Sequence, residues 1–159
     1  MIIAKRYYIA YGSNLNIEQM KFRCPTAKVV GVSEIHDYRL LFKGSQTGAY
    51  LTIEPYKGAS VPVAVWEVTA DDELSLDRYE GYPRFYYKAE MTLPVISIDG
   101  NRVRDLPVFV YIMHEDRPVG IPMQYYVDTC LEGYRVFSFD EEKLSDAIKF
   151  SLEECRHAK

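Results

Sequence analysis

Three cysteines in 159 residues are few, odd in number and far apart, and no C-x-x-C pair exists. That argues against a disulfide framework or a dithiol redox centre, and reduced thiols at Cys24, Cys130 and Cys155 suit the cytosol. The three histidines, His36, His114 and His157, form no H-x-x-x-H or H-E-x-x-H pattern and no cluster with cysteine. No metal site and no cofactor is therefore expected. G-x-S-x-G is missing too: Tyr11 and Leu15 stand where the glycines around Ser13 would be. Like charges never run beyond a few residues and the net charge is −4, so neither nucleic acid nor an anionic membrane is an expected partner. No apolar stretch reaches transmembrane length. At the start of the chain Lys5 and Arg6 follow the apolar residues, the reverse of a secretion signal, and a cytoplasmic location is expected.

What is present is a hydrophobic content of 48%, with 26% charged residues, enough for one domain over residues 1–159 with a proper core. There is no internal repeat and no low-complexity linker. Tyrosine is abundant, at 14. A tyrosine offers an apolar ring and a hydroxyl together, which suits the wall of a pocket for a polar ligand. Many of the 14 also fit ordinary strand positions.

Residues 6–11 read as a first strand and 16–23 as a short helix, capped by Asn14 or Asn16 and ended at Cys24-Pro25. Two extended runs follow, Lys28–Val32 and Tyr38–Lys43, then a turn over Gly44–Gly48. Ala49–Glu54 is a strand ended by Pro55. Gly58-Ala59-Ser60 turns into Val61–Val68, whose apolar side chains fall on both faces. Thr69-Ala70-Asp71-Asp72 resembles a capping box with Asp in the Glu place, and the helix it opens stops at Gly81 and Pro83. Phe85–Ile98 is extended, as one long strand or two, and Arg102–Met113 is its hairpin partner across Asp99-Gly100 or Gly100-Asn101, with Pro107 marking a bulge or an edge. Pro122 opens a helix to about residue 132, ended by Gly133. Ser138-Phe139-Asp140-Glu141 caps a last helix. Strands and helices do not alternate regularly, so a Rossmann-like sheet is not expected. The pattern is an α+β domain with a mostly antiparallel, strongly curved sheet.

Two stretches carry chemistry. In Tyr8-Ile9-Ala10-Tyr11-Gly12-Ser13-Asn14-Leu15 a buried strand breaks into a small-residue loop that leads into a helix. Such a loop can aim several backbone N–H groups at one oxygen, and Gly12 lets a ligand come close to the backbone. The plain alternative is an ordinary strand-to-helix turn. In Leu76-Asp77-Arg78-Tyr79-Glu80-Gly81 the glutamate falls at the C-terminal end of a helix, the negative end of its dipole. Tyr79, Tyr82, Phe85 and Tyr86 would also strip it of water. Both effects raise a carboxylate pKa toward the value a neutral-pH proton shuttle needs. The alternatives are a solvent-facing glutamate before a turn, or an acid/base couple with Asp77, which is more simply a helix-surface charge.

Taken together, Tyr11-Gly12-Ser13-Asn14-Leu15 and Leu76-Asp77-Arg78-Tyr79-Glu80-Gly81, followed by Pro122, Tyr126 and Gly133, resemble the gamma-glutamyl cyclotransferase family, with its plant avirulence-induced-gene-like relatives. The resemblance covers about residues 7–150. It implies a small α+β domain on a closed or nearly closed, mostly antiparallel twisted β-barrel with flanking helices. It also implies a reaction: the substrate's α-amine attacks its own γ-amide, closing 5-oxoproline and expelling an amine or amino acid without a metal. By that resemblance Glu80 is the catalytic acid/base. Tyr8, Ile9, Ala10, Tyr11, Gly12, Ser13, Asn14 and Tyr126 are the substrate-binding residues. The partner is a small γ-glutamyl amide, and a homodimer is left open. A non-catalytic small-molecule-binding module of the same fold is the alternative. The chain departs from the family at Gly133-Tyr134, where Gly-Ala is frequent, and at Val136-Phe137-Ser138, which lacks a usual glycine. Both departures bear on which amine leaves.

Overall fold

A computed structural model describes residues 5–45 and 48–157. The start Met1–Ala4 and residues 46 and 47, the middle of the expected Gly44–Gly48 turn, lie outside the described residues. The order is β1 (Arg6–Ala10), a single 3-10 turn (Ser13–Leu15), α1 (Ile17–Arg23), β2 (Lys28–Lys43), β3 (Tyr50–Val68), α2 (Ala70–Glu80), β4 (Tyr86–Ser97), β5 (Val103–Met113), α3 (Gln124–Val136) and α4 (Glu142–His157). The five strands close into a barrel in the order β1-β3-β2-β4-β5, with the helices at its flanks. Every pairing is antiparallel except the closing one, where β5 meets β1 in parallel at Tyr8 and Phe109. The expected α+β barrel is therefore the fold found. No helix among the described residues is long and apolar enough to cross a membrane.

The strands are longer than the sequence suggests. Pro55 and Gly58–Ser60 were expected to break the chain, and β3 runs through both. Here β3 pairs only with β2, so the N–H that Pro55 lacks leaves no gap opposite a third strand. The ribbon bends there through a bulge between His36 and Tyr38, where Asp37 takes φ 62° and its Oδ1 accepts the Gly58 N–H at 2.9 Å. The two extended runs of residues 28–43 likewise fuse into one strand. Val61–Val68 is buried on both faces as expected, apart from partly exposed Glu67.

Two helix ends also differ. Gly133 does not end α3, which continues to Val136. The glycine is needed for contact instead: a Cβ there would lie 2.5 Å from Leu15 Cβ and 2.6 Å from its carbonyl carbon. Its absence lets α3 press directly on the 3-10 turn. Ser138 does not cap α4. It adopts φ 57° and closes α3, with Phe139 N–H bonded to Tyr134 O at 2.8 Å. Asp140 caps α4 in its place, accepting the Glu142 N–H at 3.0 Å.

Candidate active site

α2 is anchored at its start. Thr69 Oγ1 accepts the Asp72 N–H at 3.2 Å and Asp72 Oδ2 accepts the Thr69 N–H at 3.0 Å, completing the capping box. Thr26 donates its hydroxyl to both Asp72 oxygens, at 2.8 and 2.9 Å, which ties the helix to the link between α1 and β2. At the far end Gly81 adopts φ 65°, a left-handed conformation that glycine takes without strain, and Tyr82 N–H reaches Asp77 O at 2.9 Å. Glu80 is thus the last residue of a helix fixed at both ends.

That end opens on a cavity of about 410 Å³. The loop after β1 forms one wall with Gly12, Ser13 and Asn14, and Tyr8 and Tyr11 stand beside it. Tyr126 enters from α3. The sequence-expected residues Tyr8, Tyr11, Gly12, Ser13, Asn14, Glu80 and Tyr126 are therefore brought to one space. Ile9 and Ala10 are not: at 0% and 1% exposure they sit in the core and do not line it. Alternation along β1 does not separate them from Tyr8, because Tyr8, Ile9 and Ala10 are all buried.

Tyrosine hydroxyls hold the walls rigid. Tyr11 donates to the Tyr111 carbonyl at 2.7 Å, Tyr86 donates to the Leu51 carbonyl at 2.7 Å, and Tyr126 accepts the Leu51 N–H at 3.1 Å. Asn14 Nδ2 donates to the Tyr8 hydroxyl at 2.9 Å, and Ser13 Oγ and the Tyr79 hydroxyl lie 2.9 Å apart. The N–H groups of Gly12 and Ser13 make no hydrogen bond among the described residues, so the loop keeps donors in hand.

Glu80 is half-buried and faces this cavity. Its carboxylate has no hydrogen bond and no ion pair among the described residues. Burial pushes its pKa up to about 8, against an opposing pull from the Arg23 cation. Glu80 in turn helps to hold the phenols of Tyr8 and Tyr11 well above their usual range, after burial, the main cause. The desolvating neighbours are thus not wholly those the sequence suggested. Tyr79, Phe85 and Tyr86 line the cavity, whereas Tyr82 does not. Asp77 also turns away, bonded to Tyr111 and Lys88, so no carboxylate couple forms.

Sequence reasoning missed Arg23, Gln19, Tyr50, Tyr111 and Tyr125, all on the cavity. Arg23 in the last turn of α1 looks like a cation answering a helix dipole. The tyrosines come from three distant elements, and only their number hinted at them. Among the described residues no three His, Cys, Asp or Glu side chains gather as a metal would require.

Residues 8–128 match the family profile described as "Gamma-glutamyl cyclotransferase, AIG2-like". The gamma-glutamylcyclotransferase of Bos taurus is 30% identical over 132 residues, which cover 78% of this chain and 68% of that protein. The Homo sapiens gamma-glutamylcyclotransferase is 38% identical over 81 residues, covering 46% of this chain and 43% of that protein. A solved structure named "Gamma-glutamyl cyclotransferase" superposes with a TM-score of 0.76 at 24% identity, covering 91% of this chain and 86% of the other, a likeness of fold.

Proposed function

The chain belongs to the gamma-glutamyl cyclotransferase, AIG2-like family, and on that premise we propose that it cleaves γ-glutamyl amides by intramolecular cyclisation, as one cytoplasmic domain, without metal or other cofactor. The observation that carries the proposal is an unpaired carboxylate with a pKa of about 8, facing a cavity beside free backbone donors.

The reaction needs little covalent help from the protein. Nucleophile and electrophile share one molecule, so the cavity has mainly to hold a folded conformer, and proximity contributes about 7–11 kcal/mol at best. The substrate enters with an α-ammonium, an α-carboxylate and a γ-amide. Glu80, ionised, takes a proton from the ammonium. The freed amine nitrogen attacks the γ-carbonyl carbon and a new C–N bond closes the five-membered ring. The amide C–N bond then breaks. The proton on Glu80 passes to the leaving nitrogen, and the second proton lost from the ring nitrogen follows it. The amine departs as an ammonium and 5-oxoproline keeps its carboxylate, so charge and atoms balance without water. A carboxyl with a pKa near 8 exchanges protons readily in both directions at neutral pH, an effect of about 10²–10⁴ in rate.

The N–H groups of Gly12 and Ser13 serve the oxygen that gains charge as the γ-carbonyl is attacked. Tyr8, Ile9, Ala10, Tyr11 and Asn14 shape the loop side, Ile9 and Ala10 from beneath. Tyr126, with its hydroxyl on the Leu51 N–H, stands close beside Gly12.

Release of 5-oxoproline from a mixed set of γ-glutamyl amides, wild type beside Glu80→Gln, tests this reading. Product from the wild type alone is expected. Equal turnover by a folded Glu80→Gln variant removes the mechanism.

A further inference from the structure

We propose that this cavity selects a γ-glutamyl amide carrying one carboxylate, held by Arg23, and an uncharged, apolar or aromatic leaving amine packed against Tyr50, Phe85 and Tyr125. The inference rests on the cyclotransferase reading and narrows it to a substrate class.

Arg23 is the sole cation among the described residues that line the cavity. It is held in place by neutral groups. Its Nη1 donates to Asn14 Oδ1 at 2.6 Å, its Nη2 donates to Gln19 Oε1 at 2.7 Å, and its guanidinium lies 3.5 Å from the centre of the Tyr79 ring. No carboxylate pairs with it among the described residues. A guanidinium has five donor hydrogens, and a planar fork of this kind matches a carboxylate. Fixed on Asn14 of the loop, half-buried and without an anion, Arg23 is a preformed acceptor site for one negative charge.

Glu80 lines the same cavity, and the Arg23 charge pulls its pKa down against the rise from burial. A cation and an anion facing the same space match an α-amino acid head, whose carboxylate and ammonium share one carbon. The glutamyl end of the substrate therefore uses the whole charge complement of the cavity.

Among the described residues the rest of the cavity lining offers no second cation. Tyr50 stands edge-on to Phe85, with centroids 6.4 Å apart, and to Tyr126 at 5.1 Å. Tyr50 and Tyr125 are 41% and 65% exposed, large aromatic surfaces left open at the cavity rim. Arg117 stacks on Phe85 at 5.0 Å but does not line the cavity. A leaving amino acid would bring its own carboxylate against rings without a partner for it. A leaving amine brings only apolar surface, which such rings bury favourably.

The decisive experiment compares γ-glutamyl-2-phenylethylamine with γ-glutamyl-phenylalanine, which differ only in that carboxylate. With 5-oxoproline release as readout, kcat/KM is expected to favour the amine by about tenfold or more. A ratio near one, or a preference for phenylalanine, overturns the proposal and leaves the cyclotransferase reading standing. No product from either compound or from the mixed set, with folded protein, overturns both. Calorimetry tests Arg23 apart from turnover. Wild type should bind 5-oxoproline at least about tenfold more tightly than Arg23→Gln does. The uncharged carboxamide of 5-oxoproline should bind both equally. Arg23→Lys, which keeps the charge, should recover part of the loss, and it replaces Arg23→Gln if that variant fails to fold. Equal binding of 5-oxoproline by wild type and both variants removes Arg23 from the site.

Discussion

Asp77 and Glu80 stand less than one turn apart on α2, yet their surroundings differ in kind. Asp77 Oδ1 accepts the Tyr111 hydroxyl at 2.6 Å and pairs with Lys88 at 2.9 Å. Lys88 also pairs with Glu73 at 2.6 Å, and Arg6 bridges Glu73 and Glu90, each at 2.8 Å. On that side of the helix every carboxylate is answered. Among the described residues Glu80 has no hydrogen bond or ion pair, only the field of Arg23. Pairing holds a charge in place and serves structure. A desolvated carboxylate with no partner is held near its titration point and can move protons. The same helix thus carries a paired carboxylate at Asp77 and, three residues on, an unpaired one at Glu80.

The largest effect expected is the gap in turnover between two isosteric changes. Glu80→Gln should cost about 10²–10⁴ in kcat. Asp77→Asn should stay within about tenfold, because it removes one ion pair of a network and leaves a hydrogen-bond acceptor for Tyr111. Steady-state release of 5-oxoproline measures both. If Asp77→Asn were as damaging as Glu80→Gln, the contrast between the two sides would collapse.

Stability should separate them in the opposite sense. Native Glu80 holds its proton up to about pH 8, whereas in the unfolded chain it loses it near 4.5. Unfolding between those values releases a proton, so wild-type stability falls as pH rises through that window and then levels off. Glu80→Gln has no such group. It should melt at a higher temperature than wild type above pH 8, by a margin on the order of a few kcal/mol, and the margin should vanish below pH 4.5. A constant margin at all pH values would mean that the carboxyl is not desolvated.

Gly133→Ala sharpens the contrast from elsewhere in the chain. The added methyl meets Leu15, backbone included, at 2.5–2.8 Å, so α3 and the 3-10 turn must part. A loss of about 1–3 kcal/mol is expected despite the better helix propensity of alanine, with a fall in turnover as the loop facing Glu80 shifts. The Asp77 network, which touches neither element, should stay intact. A Tm equal to wild type would show that the contact has slack.

Much of the frame was legible because its signals are local. The capping box at Thr69 and Asp72, the αL glycine after Glu80 and the Asp99-Gly100 hairpin each depend on a few consecutive residues, and each stands as read. The misreadings share one cause. Pro55 and Gly58 look like breaks only until β2 is laid beside them, and Gly133 looks like a stop only until Leu15 is placed under it. Arg23 was hidden for the same reason. Its meaning comes from Asn14, Tyr79 and Glu80, which folding alone gathers around it. The place of Glu80 at the end of α2 was legible in the sequence, while the charge that faces it was invisible until the barrel closed.

That charge provides the finest test, and the smallest effect. As the base, Glu80 must be ionised, so kcat/KM should rise with pH through a midpoint near 8. Arg23 favours the ionised form and pulls that midpoint down. Arg23→Gln removes the pull, and the midpoint must move up. The variant's deficit should therefore be greater at pH 7, where more of its Glu80 is protonated, than at pH 9, where wild type and variant are both largely ionised. A deficit independent of pH would mean that Arg23 acts on substrate alone. A midpoint that moves down would reverse the sign of the coupling and place the base elsewhere.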